Sequence, residues 1–263
     1  MIVIDREKCT GCGLCVKDCP ADRLGIEDGK AVYTPGCIQC GHCVAICPSG
    51  AVSIPEYDMD DVEDYDASTF TIEPERFLRA VKFRRSIRRF QEKKMEEEML
   101  ARILEAGRYT ATAKNRQDCR MIVLQERLEE FKDLLWEQVP QMAEEIKETA
   151  PHYAMMFKFM YRRRRADRKD DPLFFNAPVC LIIAANNVLD GGLAAANIEN
   201  MAVAEGAGVL YDGYLQRVIE GCPDLKEWLG ISEIPIACCM LMGHPAVTYR
   251  RTAPRKKANI DWR

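Results

Sequence analysis

Apolar residues at positions 95, 99, 100, 103, 104 and 106 recur at the period of a helix, so the pattern predicts one over 95–106. Pro74 opens an earlier helix, because its fixed φ and missing N–H suit the first helical turn. Residues 120–125 read as a strand, and the apolar runs 178–185 and 236–242 read as buried strands. From 126 to about 149 the pattern predicts a long charged helix, interrupted near Pro140. Between 190 and 206 a helix is built largely of glycine and alanine, which let another backbone come close. Near the front, Asp28-Gly29 reads as a hairpin turn and 30–33 as a short strand. The alternation of helices and strands makes the larger part of the chain α+β or α/β.

Cysteine spacing separates the front from the rest. Eight of the 13 cysteines fall within the first 48 of 263 residues. Cys9, Cys12, Cys15 and Cys19 follow the spacing C-x2-C-x2-C-x3-C-P and close on Pro20. The same spacing returns at Cys37, Cys40, Cys43 and Cys47, closing on Pro48. A cubane iron–sulfur cluster needs three thiolates splayed around one face and a fourth from elsewhere. In runs of this kind the fourth cysteine ligates the other cluster. One 4Fe–4S cluster is therefore expected on Cys9, Cys12, Cys15 and Cys47, and a second on Cys37, Cys40, Cys43 and Cys19. Zinc knuckles pair two C-x2-C units across a longer spacer and do not account for the third cysteine or the proline. Gly11, Gly13 and Gly41 allow tight turns that bring N–H groups close to cluster sulfurs. The segment resembles a bacterial two-cluster ferredoxin, which implies transfer of single electrons.

The expected organisation is a two-cluster domain over 1–56, an acidic linker over 57–73 and a second domain over 74–263. The linker is read from seven acids in the eleven residues 56–66. Residues 1–75 hold 15 acids against 5 bases, a net of −10, whereas 76–263 hold 26 acids against 32 bases, a net of +6. An acidic front beside a basic body is expected to dock on it or to steer electron carriers. An anionic cofactor accounts for part of the basic half, so no nucleic acid is expected. No secretory h-region precedes the cysteines, and the longest strongly apolar run, 177–185, is far too short to span a membrane. With reduced thiols at the front, a cytoplasmic location and no membrane partner are expected. Cys180, Cys238 and Cys239 lie in apolar runs and read as small core residues.

Further motifs run in a particular order. Arg84-Arg85-Ser86-Ile87-Arg88 comes first. Ile103-Leu104-Glu105-Ala106-Gly107-Arg108-Tyr109 follows, and then Lys114-Asn115-Arg116-Gln117. The strand after Ala177-Pro178 precedes the alanine-rich helix that ends Gly206-Ala207-Gly208-Val209-Leu210-Tyr211-Asp212-Gly213. Gly243-His244-Pro245, Pro254-Arg255-Lys256-Lys257 and Trp262 close the series. Over about residues 76–263 this order resembles the nitroreductase family, dimeric flavoenzymes that use FMN. The resemblance implies an α+β fold and a homodimer. It assigns Arg84, Ser86 and Arg88 to the FMN phosphate, ribityl chain and pyrimidine edge, by charge-assisted bonds. Arg85 holds a family backbone-contact position, and Arg255 and Lys257 close on the phosphate. Thr112 and Asn115 match positions that reach the flavin of the partner subunit. Tyr211, Asp212 and Gly213 run past the ring, with the Asp212 N–H near flavin N5. Ala111-Thr112 and Asp118-Cys119 depart from the family's usual Pro-Ser and Pro-Trp.

The resulting expectation is an FMN oxidoreductase fed through two 4Fe–4S clusters. It would reduce a flat small-molecule electron acceptor, a nitroaromatic, quinone or activated double bond, by hydride transfer from N5. Reduced ferredoxin or another electron donor would supply it. The alternative is an electron-transfer module that relays to a protein partner. Reductive dehalogenation or flavin fragmentation, a third reading, needs lid residues that the sequence does not identify. Tyr153, Phe157, Phe159 and Tyr161, next to Arg162–Arg165, suit either a cover that stacks on substrate or an ordinary helix with a basic end.

Overall fold

The computed structural model describes all 263 residues. The chain divides into two units, Met1–Ile72 with Thr112–Arg116 and Glu73–Ala111 with Gln117–Arg263. No helix is long and apolar enough to cross a membrane.

The first unit contains β1 (Val3–Ile4), α1 (Leu14–Lys17), β2 (Leu24–Glu27), β3 (Lys30–Tyr33), α2 (His42–Ala45), β4 (Val52–Ser53) and α3 (Ala67–Phe70). β2 and β3 form the expected hairpin, with Asp28 and Gly29 both at positive φ, 50° and 70°. β1 pairs antiparallel with β4 and brings the two ends of the cysteine region together. The two cysteine runs have the same local form. Each third cysteine, Cys15 or Cys43, sits in a one-turn helix that starts after a left-handed glycine, Gly13 or Gly41. The core is small: Ile2, Leu24, Ala31, Val52 and Ile54 pack with the cysteines themselves.

The second unit contains α4 (Pro74–Phe83), α5 (Glu97–Arg108), β5 (Arg120–Leu124), α6 (Leu128–Glu145), α7 (Pro151–Ala166), β6 (Val179–Ala184), α8 (Val188–Ala204), β7 (Gly208–Tyr211), α9 (Gly213–Glu220), α10 (Pro223–Trp228) and β8 (Ile236–Gly243). The sheet runs β5-β6-β8-β7, antiparallel throughout, so the class is α+β. Successive side chains of β6 enter opposite cores. Val179, Leu181 and Ile183 meet Leu100 and Ile103 of α5 and Ile198 of α8. Cys180, Ile182 and Ala184 meet Phe131, Leu135 and Val139 of α6 and Leu215 of α9. Both predicted buried strands are found, and Cys180, Cys238 and Cys239 are core residues within them.

Two expectations are refined. The long helix does not break at Pro140: α6 runs 18 residues straight through it. Proline removes one i→i−4 bond, and the buried stripe Phe131, Leu135, Val139 and Met142 holds the helix across that gap. Gly191 of α8 serves close packing inside the unit. A Cβ placed on Gly191 would lie 2.3 Å from the Ala237 Cβ of β8. The exposed apolar side chains of α8 are Val188, Leu189 and Leu193, and α4 presents Phe77, Leu78 and Val81.

Gly191→Val should therefore destabilise the protein by about 1–3 kcal/mol, the range for overpacking a close-packed contact. Gly192→Val, with nothing within 4 Å of its added Cβ, should be much milder. Denaturant titration of both variants compares them, and equal stabilities would contradict the close approach.

Candidate functional site

Cys9, Cys12, Cys15 and Cys47 line one cavity, together with Thr10, Ala31 and Ser49. Three of these cysteines come from the first run and one from the second. The N–H groups of Ala31 and Gly11 hold the Cys9 thiol below its ordinary range and burial pushes the Cys15 thiol up, while the nearby Cys47 charge is a smaller influence that opposes ionisation of both. The surroundings supply the compensating donors. The Cys9 Sγ accepts the Ala31 N–H at 3.4 Å, and the Cys47 Sγ accepts the Ala51 N–H at 3.3 Å. In the second group, burial foremost, together with Cys37 and Cys40, pushes the Cys43 thiol up to about 11. The Cys37 Sγ accepts the Gln39 N–H at 3.2 Å, and the Cys19 Sγ accepts the Arg23 N–H at 3.3 Å. Thiols ringed around a cavity, with N–H groups aimed at their sulfurs, suit a bulky sulfur-bridged cluster.

In the second unit, residues 84–88 run alongside β7. Ser86 bridges Val209 in parallel, and the Ile87 N–H donates to the Val209 carbonyl at 2.9 Å. Gly208 permits this approach, since a Cβ there would lie 2.7 Å from the Ile87 side chain. Ser86 is half-buried, Arg88 is exposed, and the Arg88 charge acts on Asp212. Thus 84–88 and the turn 211–213 are neighbours, as the motif order implies. Arg84 Nη1 donates to Glu199 at 2.8 Å, and Arg85 Nη1 donates to the Arg84 carbonyl at 2.6 Å. A cavity of about 230 Å³ is lined by Phe83, Arg84, Arg85, Glu199 and Tyr249 among others.

Asp212 caps α9. Its Oδ1 accepts the N–H groups of Tyr214 at 3.0 Å and Leu215 at 2.9 Å. Burial pushes the carboxyl up, and these bonds and Arg88 pull it back. The Asp212 N–H itself donates to the Cys239 carbonyl at 2.8 Å. That N–H belongs to the sheet edge, and the next one along the turn is that of Gly213, the first residue of α9.

Other predicted site residues do not join this group. Asn115 Nδ2 donates to the Ile38 and Gln39 carbonyls, at 3.2 and 2.9 Å, inside the first unit. Thr112 belongs to the same segment. Arg255 and Lys257 lie in an exposed tail, and the Arg255 guanidinium meets only the Pro254 carbonyl, at 3.5 Å. In α7, Phe157 is fully buried core rather than a free stacking surface, whereas Phe159 is exposed. Tyr153 packs at 5.8 Å from Tyr214, and the Arg217 guanidinium lies 3.9 Å above the Tyr153 ring. Sequence reasoning missed Glu199 and Arg217. Glu199 shares its helix with the charge of Asp190 and the amides of Asn197 and Asn200, so nothing in the sequence singles it out.

Residues 81–244 match the Nitroreductase family, and residues 1–50 match the 4Fe-4S dicluster domain. A search of curated protein sequences finds no match. Among solved structures, the chain is similar to a nitroreductase with bound FMN from Desulfitobacterium hafniense DCB-2. The identity is 20% over 70% of this chain and 98% of that one, with a TM-score of 0.54. A nitroreductase with bound FMN from Bacteroides fragilis NCTC 9343 is 17% identical over 70% and 98%, with a TM-score of 0.53. An FMN-dependent nitroreductase from Clostridium difficile R20291 is 18% identical over 72% and 100%, with a TM-score of 0.51. At these identities the likeness is one of fold.

Asn115→Ala removes both side-chain bonds to the 37–41 loop. Amide exchange of that loop should speed up about fivefold, as expected for ~1 kcal/mol of lost hydrogen bonding. Hydrogen-exchange mass spectrometry under anaerobic conditions reads it. Unchanged exchange would show that Asn115 does not hold the loop.

Proposed function

The chain belongs to the nitroreductase family and is an oxidoreductase with a 4Fe-4S dicluster domain, and from that premise we propose that it takes electrons through two 4Fe–4S clusters and uses FMN to reduce a flat small-molecule acceptor. The acceptor class is nitroaromatics, quinones or activated double bonds, and the donor is reduced ferredoxin or another low-potential carrier. The observation that carries this reading is the cavity that collects Cys9, Cys12, Cys15 and Cys47 on a chain that also has a nitroreductase fold.

When bound, the clusters supply single-electron steps, and FMN supplies two-electron storage with hydride release at N5. The chain's own residues do the rest. Cys9, Cys12, Cys15 and Cys47 hold one cluster, and Cys37, Cys40, Cys43 and Cys19 hold the other. N–H groups such as those of Ala31 and Ala51 spread the thiolate charge. Arg84, Ser86 and Arg88 bind the anionic and pyrimidine parts of FMN, with Arg85 contributing through its backbone. Tyr211, Asp212 and Gly213 line the ring. Because the Asp212 N–H is committed to the Cys239 carbonyl, the Gly213 N–H is the donor assigned to N5. Asp212 keeps that N–H in place by capping α9. Tyr153, Tyr214 and Arg217 form a wall beside this turn that excludes water and favours a planar acceptor.

The functional form is a homodimer. The exposed apolar faces of α4 and α8, with Phe77, Leu78, Val81, Leu189 and Leu193, are the surfaces it would bury. In that dimer Arg255 and Lys257 close on the FMN phosphate, and Thr112 reaches toward the flavin of the other subunit, whereas the Asn115 amide is committed to the Ile38 and Gln39 carbonyls.

Anaerobic protein should contain about eight irons per chain. Cys47→Ala should lower iron content toward half and abolish acceptor reduction from reduced ferredoxin, while FMN content stays unchanged. Loss of FMN with the iron retained, or stoichiometric zinc, would contradict the ligand assignment. Arg84→Ala should weaken FMN binding by about 1.5–3 kcal/mol, the range for a hydrogen bond to a charged group. Fluorescence titration measures it, and unaltered affinity would remove Arg84 from the flavin site.

A further inference from the structure

We propose that Glu199 is a positioning residue of the flavin site, which fixes Arg84 against α8 and tempers the positive charge that Arg84 presents to FMN. The inference rests on the reading of 84–88 and 211–213 as flavin-binding stretches. Glu199 lies near the middle of α8 with its side chain only 9% exposed. Arg84, at the head of the basic segment, reaches it with Nη1 at 2.8 Å. Tyr211, at the head of the turn, donates its hydroxyl to the Ala195 carbonyl of the same helix at 3.0 Å. Two stretches more than a hundred residues apart thus meet on α8, one of them on a buried carboxylate.

A carboxylate in such a place is expensive to bury, and the paired Arg84 guanidinium offsets part of that cost. Burial pushes the Glu199 carboxyl up, and the charge and hydrogen bond of Arg84 pull it back. The pair has two consequences. It holds the guanidinium in one orientation against the cavity that both residues line, with only Nη1 engaged and further N–H donors left for a ligand. It also places a negative charge beside the cation that faces FMN. Reduction of a bound flavin adds electrons at the site, and an unpaired cation favours this more than one already neutralised by a carboxylate. Glu199 therefore keeps the flavin a stronger reductant than Arg84 alone would.

The test measures FMN affinity and the flavin midpoint potential in Glu199→Gln, Glu199→Leu and Arg84→Ala, in the otherwise intact protein. Glutamine has nearly the same shape, still accepts from Arg84 and removes the charge. Glu199→Gln should keep FMN with an affinity within about threefold, roughly 0.65 kcal/mol, and shift the midpoint potential in the positive direction. Glu199→Leu removes the acceptor and should weaken FMN binding at least tenfold. A wild-type potential in Glu199→Gln, or wild-type FMN affinity in Glu199→Leu, would overturn the role of Glu199. Unaltered affinity in Arg84→Ala would instead overturn the flavin reading on which this rests. The two failures are therefore distinguishable.

Discussion

Burial of β6 and β8 on both faces is the constraint on which the second unit depends. Every residue of β6 is inaccessible to solvent, and its side chains alternate between two separate helical layers. A slip of one residue would exchange the two sets, placing Leu181 where Ile182 belongs, so the register is strongly specified. β8 lies between β6 and β7 and carries that register outward. The Cys239 carbonyl of β8 takes the Asp212 N–H, which sets where β7 ends and α9 begins. The turn over 211–213 and the segment over 84–88, bridged to β7, are placed by a core that touches no ligand. Sites positioned by a rigid sheet edge suit a cofactor whose reactive atom must be held within a fraction of an ångström.

The first unit works by a different balance. Its apolar core is small, and the cysteines occupy much of it. Four thiols drawn around one cavity repel one another once ionised, and the N–H groups of Ala31 and Ala51 work against that repulsion. A metal cluster that binds all four turns this repulsion into cohesion, as in small domains that depend on their metal. The two units thus divide the chemistry. One is organised around cysteine thiols, and the other around a sheet edge that carries the basic segment 84–88.

Much of this was legible in the sequence because the signals were local. The cysteine spacing, the Asp28-Gly29 turn, the apolar runs of β6 and β8 and the Pro74 helix start each involve a few consecutive residues. What was not legible depends on tertiary contact. Pro140 reads as a break, but the stripe from Phe131 to Met142 packs well enough to carry α6 through it. The glycines of α8 read as room for another backbone, and the neighbour that needs Gly191 is Ala237 of the same unit. Asp212 reads as a donor at the turn, yet its N–H is claimed by the neighbouring strand, which no spacing reveals. Asn115 stands in a flavin-contact motif but donates to Ile38 and Gln39 of the second cysteine run.

The central claim is that one chain carries both one-electron and two-electron centres, and that they communicate. It is tested most directly by anaerobic titration of the intact protein with a low-potential one-electron donor, followed by visible absorbance. The account predicts uptake of about four electrons per chain, one for each cluster and two for the flavin. Bleaching of the iron–sulfur bands and of the flavin band should both be complete at that point. Uptake of about two electrons with the flavin left oxidised would contradict it, because the clusters would then not feed the flavin.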